Sequence, residues 1–189
     1  DACKFEEISY LGYPFSISET FQLRNTNATI EESLQRVEEI QNLCLQHKKS
    51  LVVYISMGFG NPYGDEWNVE ICAKWVKVLS DMGIKIMALS DTIGIAGKEN
   101  ISYIFNDLVP EFPLVEFGAH FHTKPREWKE KIQAAYGAGC NRFDAAIKGY
   151  GGCPMAKDEL TGNMPTENVL SYFDEIDVDL ELDEMEFIK

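Results

Sequence analysis

The sequence predicts an α/β fold, a partial TIM (β/α)8 barrel made of five βα units with parallel strands. Strand-like apolar segments alternate with amphipathic segments along the 189 residues, and each pair spans roughly thirty-five residues, the size of one βα repeat. A closed barrel of this type usually needs about 250 residues, so the chain is too short for eight units. An open doubly wound sheet would suit the count, but the turn Leu11-Gly12-Tyr13-Pro14 lacks the glycine-rich pattern of such sheets.

The predicted strands and helices alternate over the whole chain. Thr29 and Glu32 form a capping box at the start of the first helix. Gly83 and Gly139 precede strands, where a helix must stop and turn back. The strands are apolar runs at residues 7–11, 51–56, 84–89, 115–120 and 142–146, and the helices begin near Thr29, Asn68, Lys98, Arg126 and Thr166. One stripe of the first helix carries the apolar residues Ile30, Leu34, Val37 and Leu45.

Acidic residues dominate the charge of the chain. Thirty-one Asp and Glu against seventeen Lys and Arg give a formal net charge of −14 at pH 7. Such a protein would be repelled by nucleic acid and by an anionic membrane surface, so neither is expected as a partner. Between Phe173 and Lys189, eight acids and one lysine make −7, half of the imbalance. We therefore expect a barrel domain over residues 1–175 and an acidic tail over residues 176–189, formed as an edge strand, a frayed helix or a disordered segment.

The composition is that of a soluble globular domain, with 45% apolar and 25% charged residues. No apolar run approaches the roughly 20 residues that cross a bilayer, and the first residues do not have the pattern of a signal peptide. A cytoplasmic location is the expectation. Five cysteines, an odd number without a CxxC pair, argue against a disulfide framework and a structural zinc site, so reduced thiols are expected.

Two histidines end the fourth predicted strand. Residues two apart on a strand point to the same face, so His120 and His122 can reach one point and together bind a metal ion. The alternative is a pair of histidines that only make hydrogen bonds at the strand end. His47, the third histidine, lies in a polar helical stretch and is expected at the surface.

A glycine-rich loop, Gly149-Tyr150-Gly151-Gly152-Cys153-Pro154, follows the fifth predicted strand. Its glycines allow the backbone to approach a ligand closely and bring Cys153 to the carboxyl ends of the strands, where parallel α/β proteins place their working residues. Cys153 is therefore either a buried filler or an acid, base or nucleophile.

Three polar residues complete the candidate site. Asn163 offers an amide oxygen to a metal, and Glu167 lies in the first turn of the last helix, which Thr166 is expected to cap. Asp91 ends the third predicted strand, where it either meets a polar substrate or caps the following helix. Oxygen ligands together with imidazoles suit magnesium, manganese or zinc.

These motifs together resemble the hydroxymethylglutaryl-CoA lyase family of metal-dependent TIM-barrel enzymes. The resemblance covers about residues 3–173, with the chain corresponding to strands four to eight of the barrel. It is carried by the segments Thr29-Ile30-Glu31-Glu32-Ser33, Ser90-Asp91-Thr92-Ile93-Gly94, Ala119-His120-Phe121-His122-Thr123, Gly151-Gly152-Cys153-Pro154, Gly162-Asn163 and Thr166-Glu167.

The resemblance implies a divalent-metal-dependent cleavage of 3-hydroxy-3-methylglutaryl-CoA to acetyl-CoA and acetoacetate. It implies that His120, His122 and Asn163 are metal ligands, with magnesium or manganese expected and zinc as the alternative. It implies that Cys153 donates a proton to the acetyl-CoA enolate, and that Asp91 and Glu167 orient the substrate and the loop. The expected partner is an acyl-CoA thioester.

The sequence also departs from the family pattern. In the family, the first barrel strand ends in an Arg-Asp pair that supplies a metal ligand and base, and the first three βα units have no counterpart here. Poor activity of the chain alone is therefore expected, and exposed sheet edges make homo-oligomerisation a further hypothesis. Two alternatives remain, a related synthase or aldolase (2-isopropylmalate, citramalate or 4-hydroxy-2-oxoacid type) and a non-catalytic barrel fragment.

Overall fold

The computed structural model of the protein describes residues 1–152 and 161–182. Cys153 lies outside the described residues. The strands are β1 (Tyr10–Ser16), β2 (Ser50–Ser56), β3 (Ile86–Asp91), β4 (Glu116–Thr123), β5 (Arg142–Asp144) and β6 (Gly162–Asn163). The α-helices are α1 (Glu19–Thr26), α2 (Ile30–Gln46), α3 (Val69–Asp81), α4 (Lys98–Glu111), α5 (Trp128–Gly137) and α6 (Thr166–Glu175).

The main sheet is parallel and follows chain order, β1-β2-β3-β4-β5. Each parallel connection contains a helix, as in βα units. The short strand β6 adds an antiparallel pair to the end of β4. The predicted five parallel βα units are confirmed.

The two faces of the sheet differ in character. Residues such as Val53, Leu89 and Phe121 are buried in one apolar cluster with residues of helices α2 to α6. The alternate residues point to the opposite face, which we call the inner face. Register places Ser90 beside His120 and His120 beside Asp144 in one row across this face. Polar side chains are thus collected near the carboxyl ends of β3, β4 and β5.

Local signals in the sequence set the ends of several helices. The capping box of Thr29 and Glu32 is present at the start of α2. Gly83 and Gly139 have φ values of 83° and 91°, a left-handed conformation that ends a helix at little cost for glycine. The predicted stripe on α2 is wrong at Leu45, which is 63% exposed, because the helix turns Cys44 to the core instead.

Two features near the amino end differ from the sequence prediction. The sequence predicts the first strand at residues 7–11, whereas β1 spans Tyr10–Ser16. It tolerates Pro14, which has no N–H to donate, because among the described strands β1 pairs only with β2 and so lies at the edge of the sheet. The helix α1 replaces a predicted loop, and the Ser18 side chain accepts a hydrogen bond from the Phe21 N–H at its start.

The carboxyl half shows smaller shifts. Strand β4 continues to Thr123, three residues beyond its predicted end, and therefore contains both histidines. Helix α6 begins at Thr166, but Pro165 occupies the N-cap position and no side chain caps the helix, so the predicted Thr166 cap is wrong. Residues 176–182 form a turn and an irregular segment. Within the described ranges, the helices are all too short or too polar to cross a membrane.

Candidate metal and active site

The structure brings the three predicted metal ligands together at the carboxyl end of β4. His120 and His122 lie on the inner face, and their ring centroids are 5.6 Å apart. Strand β6 places Asn163 directly opposite His122 in the antiparallel register. The pairing of β4 with β6 therefore places Asn163, from a distant part of the sequence, beside His122.

The His122 side chain is buried and has a defined tautomer. Its Nδ1 lies 3.1 Å from the main-chain oxygen of Asp91. Because a carbonyl oxygen can only accept, Nδ1 carries the hydrogen and Nε2 keeps its lone pair. Burial, the strongest influence, lowers the pKa of His122 and favours the neutral imidazole. A neutral imidazole with a free Nε2 is the form that binds a metal ion.

His120 is held by residues that the sequence reasoning did not single out. Its Nδ1 lies 3.2 Å from Oδ2 of Asp144 on β5, so the carboxylate orients the ring. The ring of Tyr54 packs edge-on against His120 at 5.3 Å. Burial and then the nearby Asp144 carboxylate raise the pKa of Tyr54. Strand alternation could have indicated Asp144, since it occupies an inner-face position on the strand next to His120.

The glycine-rich loop packs closely against Asn163. The Asn163 Nδ2 group donates to the main-chain oxygen of Tyr150 at 2.8 Å, which fixes the amide and leaves Oδ1 as its acceptor. A Cβ added to Gly149 would lie 2.8 Å from the Asn163 main-chain oxygen, and one on Gly151 would lie 2.9 Å from Nδ2. The sequence predicts that the glycines let the loop backbone approach a ligand closely. In the structure, they let it lie close to Asn163.

Asp91 does not share the face of the two histidines. Its neighbour Ser90 is in register with His120, so the Asp91 side chain points toward the helices. One carboxylate oxygen accepts from the Ile95 N–H, and the other accepts from the Ala96 N–H and from Lys131 Nζ. The carboxylate thus shapes the loop after β3 and pairs with a buried lysine.

Glu167 holds the beginning of the glycine-rich loop. Its two carboxylate oxygens accept from the main-chain N–H of Lys148 at 3.1 and 2.9 Å. Lys148 has a φ of 55°, a left-handed conformation that is costly for a residue with a Cβ. The carboxylate therefore stabilises a strained turn beside Asn163.

The chain resembles proteins of known sequence and structure over most of its length. The sequence model of the HMGL-like family matches residues 11–189. A cytoplasmic 3-hydroxy-3-methylglutaryl-CoA lyase of Danio rerio is 34% identical over 155 residues, covering 82% of this chain and 46% of that protein. A hydroxymethylglutaryl-CoA lyase of Bacillus subtilis is 29% identical over 163 residues, covering 86% of this chain and 54% of that protein.

The chain is also similar to solved structures of HMG-CoA lyases. The HMG-CoA lyase of Bacillus subtilis superposes with a TM-score of 0.84 at 28% identity, covering 91% of this chain and 57% of that one. An HMG-CoA lyase of Acinetobacter baumannii in complex with coenzyme A and 3-methylmalate gives a TM-score of 0.80 at 28% identity, with 90% and 55% coverage. The chain spans about half the length of the relatives that it matches. The partial-barrel fold is confirmed, and the family match over residues 11–189 shows that this chain belongs to the HMGL-like family.

Proposed function

We propose that the chain carries the metal-binding part of an active site that cleaves 3-hydroxy-3-methylglutaryl-CoA to acetyl-CoA and acetoacetate. The observation that carries the proposal is the meeting of His120, His122 and Asn163 at the carboxyl end of β4 in a member of this family. The relatives that match are named as lyases of this substrate class, which supports a carbon–carbon lyase.

The donor atoms of these three residues fit a divalent cation. Both histidines use Nδ1 for hydrogen bonds to oxygen, which leaves both Nε2 atoms as ligands. Asn163 uses Nδ2 for a hydrogen bond and keeps its amide oxygen. Two imidazole nitrogens and one amide oxygen suit manganese, magnesium or zinc, and the neutral donor set predicts weak binding of the harder ions.

In the proposed reaction, the bond between C2 and C3 of the substrate breaks. A bound cation would lower the pKa of the C3 hydroxyl and stabilise negative charge on that oxygen. The hydroxyl proton leaves, C3 becomes the ketone carbon of acetoacetate, and the electron pair of the broken bond moves to the acetyl thioester as an enolate. We assign to Cys153 the donation of a proton to C2 of that enolate, on the basis of the resemblance of its loop.

Asp91 and Glu167 support this chemistry through the backbone. The Asp91 carbonyl orients His122, and its carboxylate holds the loop after β3. Glu167 holds the turn at Lys148, from which the glycine-rich loop continues toward Cys153. We therefore propose that both acids are positioning residues.

An anionic substrate needs local positive charge in a chain of net charge −14. A cleft of about 230 Å³ beside Asn163 is lined by Lys124 and Lys148, together with Asn168. Lys124 also lies 3.9 Å from Glu127. These lysines are suited to the carboxylate or the phosphates of an acyl-CoA thioester, which is the proposed substrate class.

By resemblance, a complete site needs two further groups, and neither is assigned to a described residue of the inner face. By resemblance, the aspartate that removes the hydroxyl proton and the arginine beside it belong to the first strand of a whole barrel. We therefore propose that turnover requires this strand, provided by a longer chain, by a second polypeptide or by another copy of the chain.

Calorimetric titration with manganese tests the metal site. The chain should bind manganese saturably, His122→Ala should abolish binding, and the exposed His47→Ala should leave it unchanged. Absence of binding, or equal binding in His122→Ala, would contradict the metal site.

An assay for acetoacetate release from 3-hydroxy-3-methylglutaryl-CoA then tests the reaction, with a family barrel's amino-terminal half supplied in trans. Turnover that disappears in Cys153→Ala supports the lyase with Cys153 as its proton donor, whereas turnover unaffected by that substitution would contradict the role of Cys153. Manganese binding without turnover in any mixture favours the non-catalytic alternative.

A further inference from the structure

A buried lysine lies next to the candidate site and has no role in the proposed reaction. Lys131 is on α5 and is only 1% exposed, although its side chain carries a charge. Burial of an ammonium group is strongly unfavourable unless acceptors replace the lost water. A lysine is therefore tolerated at this position only if hydrogen-bond acceptors surround its ammonium group.

Three oxygen atoms surround the ammonium group of Lys131. Its Nζ donates to Oδ2 of Asp91 at 2.7 Å, to the main-chain oxygen of His122 at 3.0 Å, and to the main-chain oxygen of Gly94 at 3.3 Å. An ammonium group has three hydrogens to donate, and each has an acceptor. One side chain thus ties together the end of β3, the loop after it and the end of β4.

These contacts form a closed cycle of three residues. Lys131 donates to the carboxylate of Asp91 and to the carbonyl of His122. The imidazole Nδ1 of His122 donates back to the carbonyl of Asp91. The position of that carbonyl relative to the imidazole decides the tautomer of His122, and Lys131 holds both residues that make this contact.

We propose that Lys131 is a positioning residue that locks His122 in its Nδ1–H tautomer, so that Nε2 stays available to a metal ion. The inference deepens the proposed function and rests on it for the role of His122. Removal of Lys131 releases the carbonyl of His122 and the carboxylate of Asp91, and the hydrogen bond between His122 and Asp91 then loses its fixed geometry.

The test replaces Lys131 with methionine, which keeps the length of the side chain and removes the charge. The matched control is Lys129→Met on the same helix, since the Lys129 Nζ pairs only with the exposed Glu175 among the contacts described for its side chain. Because Lys131→Met leaves the Asp91 carboxylate buried without its partner, Asp91→Asn/Lys131→Met provides a second variant without the unpaired charge.

The first readout is the tautomer of His122 in the metal-free protein, from two-bond proton–nitrogen NMR correlations at about pH 8. The sequence has three histidines, so assignment by substitution is simple. Wild type and Lys129→Met should show the Nδ1–H form of His122, and both Lys131 variants should show a mixture of tautomers. A merely structural role would lower the melting temperature and leave the tautomer unchanged.

The second readout is the manganese affinity, which should fall about 10- to 100-fold in the folded Lys131 variants, the usual effect of losing a residue that orients a metal ligand. A folded variant with the wild-type tautomer and the wild-type affinity would overturn the inference. If the wild-type chain binds no manganese, the proposed metal site fails, while the tautomer measurement still decides the role of Lys131.

Discussion

The imidazole of His120 and the carboxylate of Asp144 face each other across the β4–β5 pair, with 3.2 Å between Nδ1 and Oδ2. A carboxylate in this position keeps the hydrogen on Nδ1, orients the ring and raises the basicity of Nε2. It also places a negative charge next to His120, in a site whose three candidate ligands are all neutral. Asp144 thus compensates in part for the absence of a carboxylate among the three candidate ligands.

Asp144→Asn should therefore weaken manganese binding about 10-fold or more, because the amide keeps the size of the side chain and removes its charge. Isothermal calorimetry measures the effect. Asp174→Asn, with the same change at an exposed position of α6, is the control and should bind as the wild type does. Equal affinities in the two variants would show that Asp144 does not tune the site.

Gly149→Ala should destabilise the protein by about 1–3 kcal/mol and disturb the Asn163 segment. The φ of Gly149 is 66°, where a side chain strains the backbone, and a Cβ would lie 2.8 Å from the Asn163 main-chain oxygen. Urea unfolding measures the cost. Gly137→Ala, at the end of α5, is the control because its Cβ would meet nothing within 4 Å. Similar unfolding free energies for both variants would contradict the close approach of the loop.

Protonation of Asp65 should lower the free energy of unfolding at acidic pH. The carboxylate accepts hydrogen bonds from the Ser18 hydroxyl and from the hydroxyl and N–H of Thr20, and the Ser18 bond is the main cause that lowers the pKa of Asp65 below 3.8. The folded state therefore releases this proton at a lower pH than the unfolded chain. The stabilisation is complete above pH 3.8 and is lost as the pH falls toward the folded pKa.

Asp65→Asn should accordingly cost about 1–2 kcal/mol at neutral pH, since it weakens the hydrogen bonds that start α1. The difference from wild type should shrink in urea unfolding as the pH falls from 3.8 through the lower folded pKa of Asp65, because wild-type Asp65 then becomes protonated as well. Asp174→Asn again serves as the control for a loss of charge alone. A difference that stays constant from neutral to acidic pH would contradict the lowered pKa.

Much of the fold could be predicted from local patterns in the sequence. The capping box at Thr29 and the glycines before β3 and β5 act through backbone geometry over a few residues, so they are visible in the sequence. The eight-residue helix α1 was missed although its Ser18 cap spans only three residues, and the Asp65 carboxylate that holds Ser18 comes from 47 residues away. Short-range periodicity does not contain such contacts.

In the candidate site, too, local relationships could be predicted from the sequence and contacts between distant residues could not. The spacing of His120 and His122 on one strand made their common face predictable. The strand pair that brings Asn163 opposite His122, and the buried pair of Asp91 with Lys131, join residues that are 41 and 40 positions apart. The hypothesis that Asp91 meets a polar substrate rests on its position at the end of β3. Its side chain instead faces the helices, since the neighbouring Ser90 occupies the inner face.

The cysteines allow a test of the proposed role of Cys153. Burial raises the pKa of Cys72 and Cys140 to about 12 and also raises that of Cys44, so these thiols should stay protonated and shielded at about pH 8. A proton donor in a ligand-binding loop must instead be reachable from solvent before the substrate binds. N-ethylmaleimide should therefore modify only Cys3 and Cys153 in the native protein, and all five cysteines after denaturation. Peptide mass mapping identifies the sites, with Cys3→Ser and Cys153→Ala each removing one of the two native labels. A native protein that leaves Cys153 unmodified would contradict its assignment as the proton donor, because a thiol closed to a small reagent is also closed to an enolate.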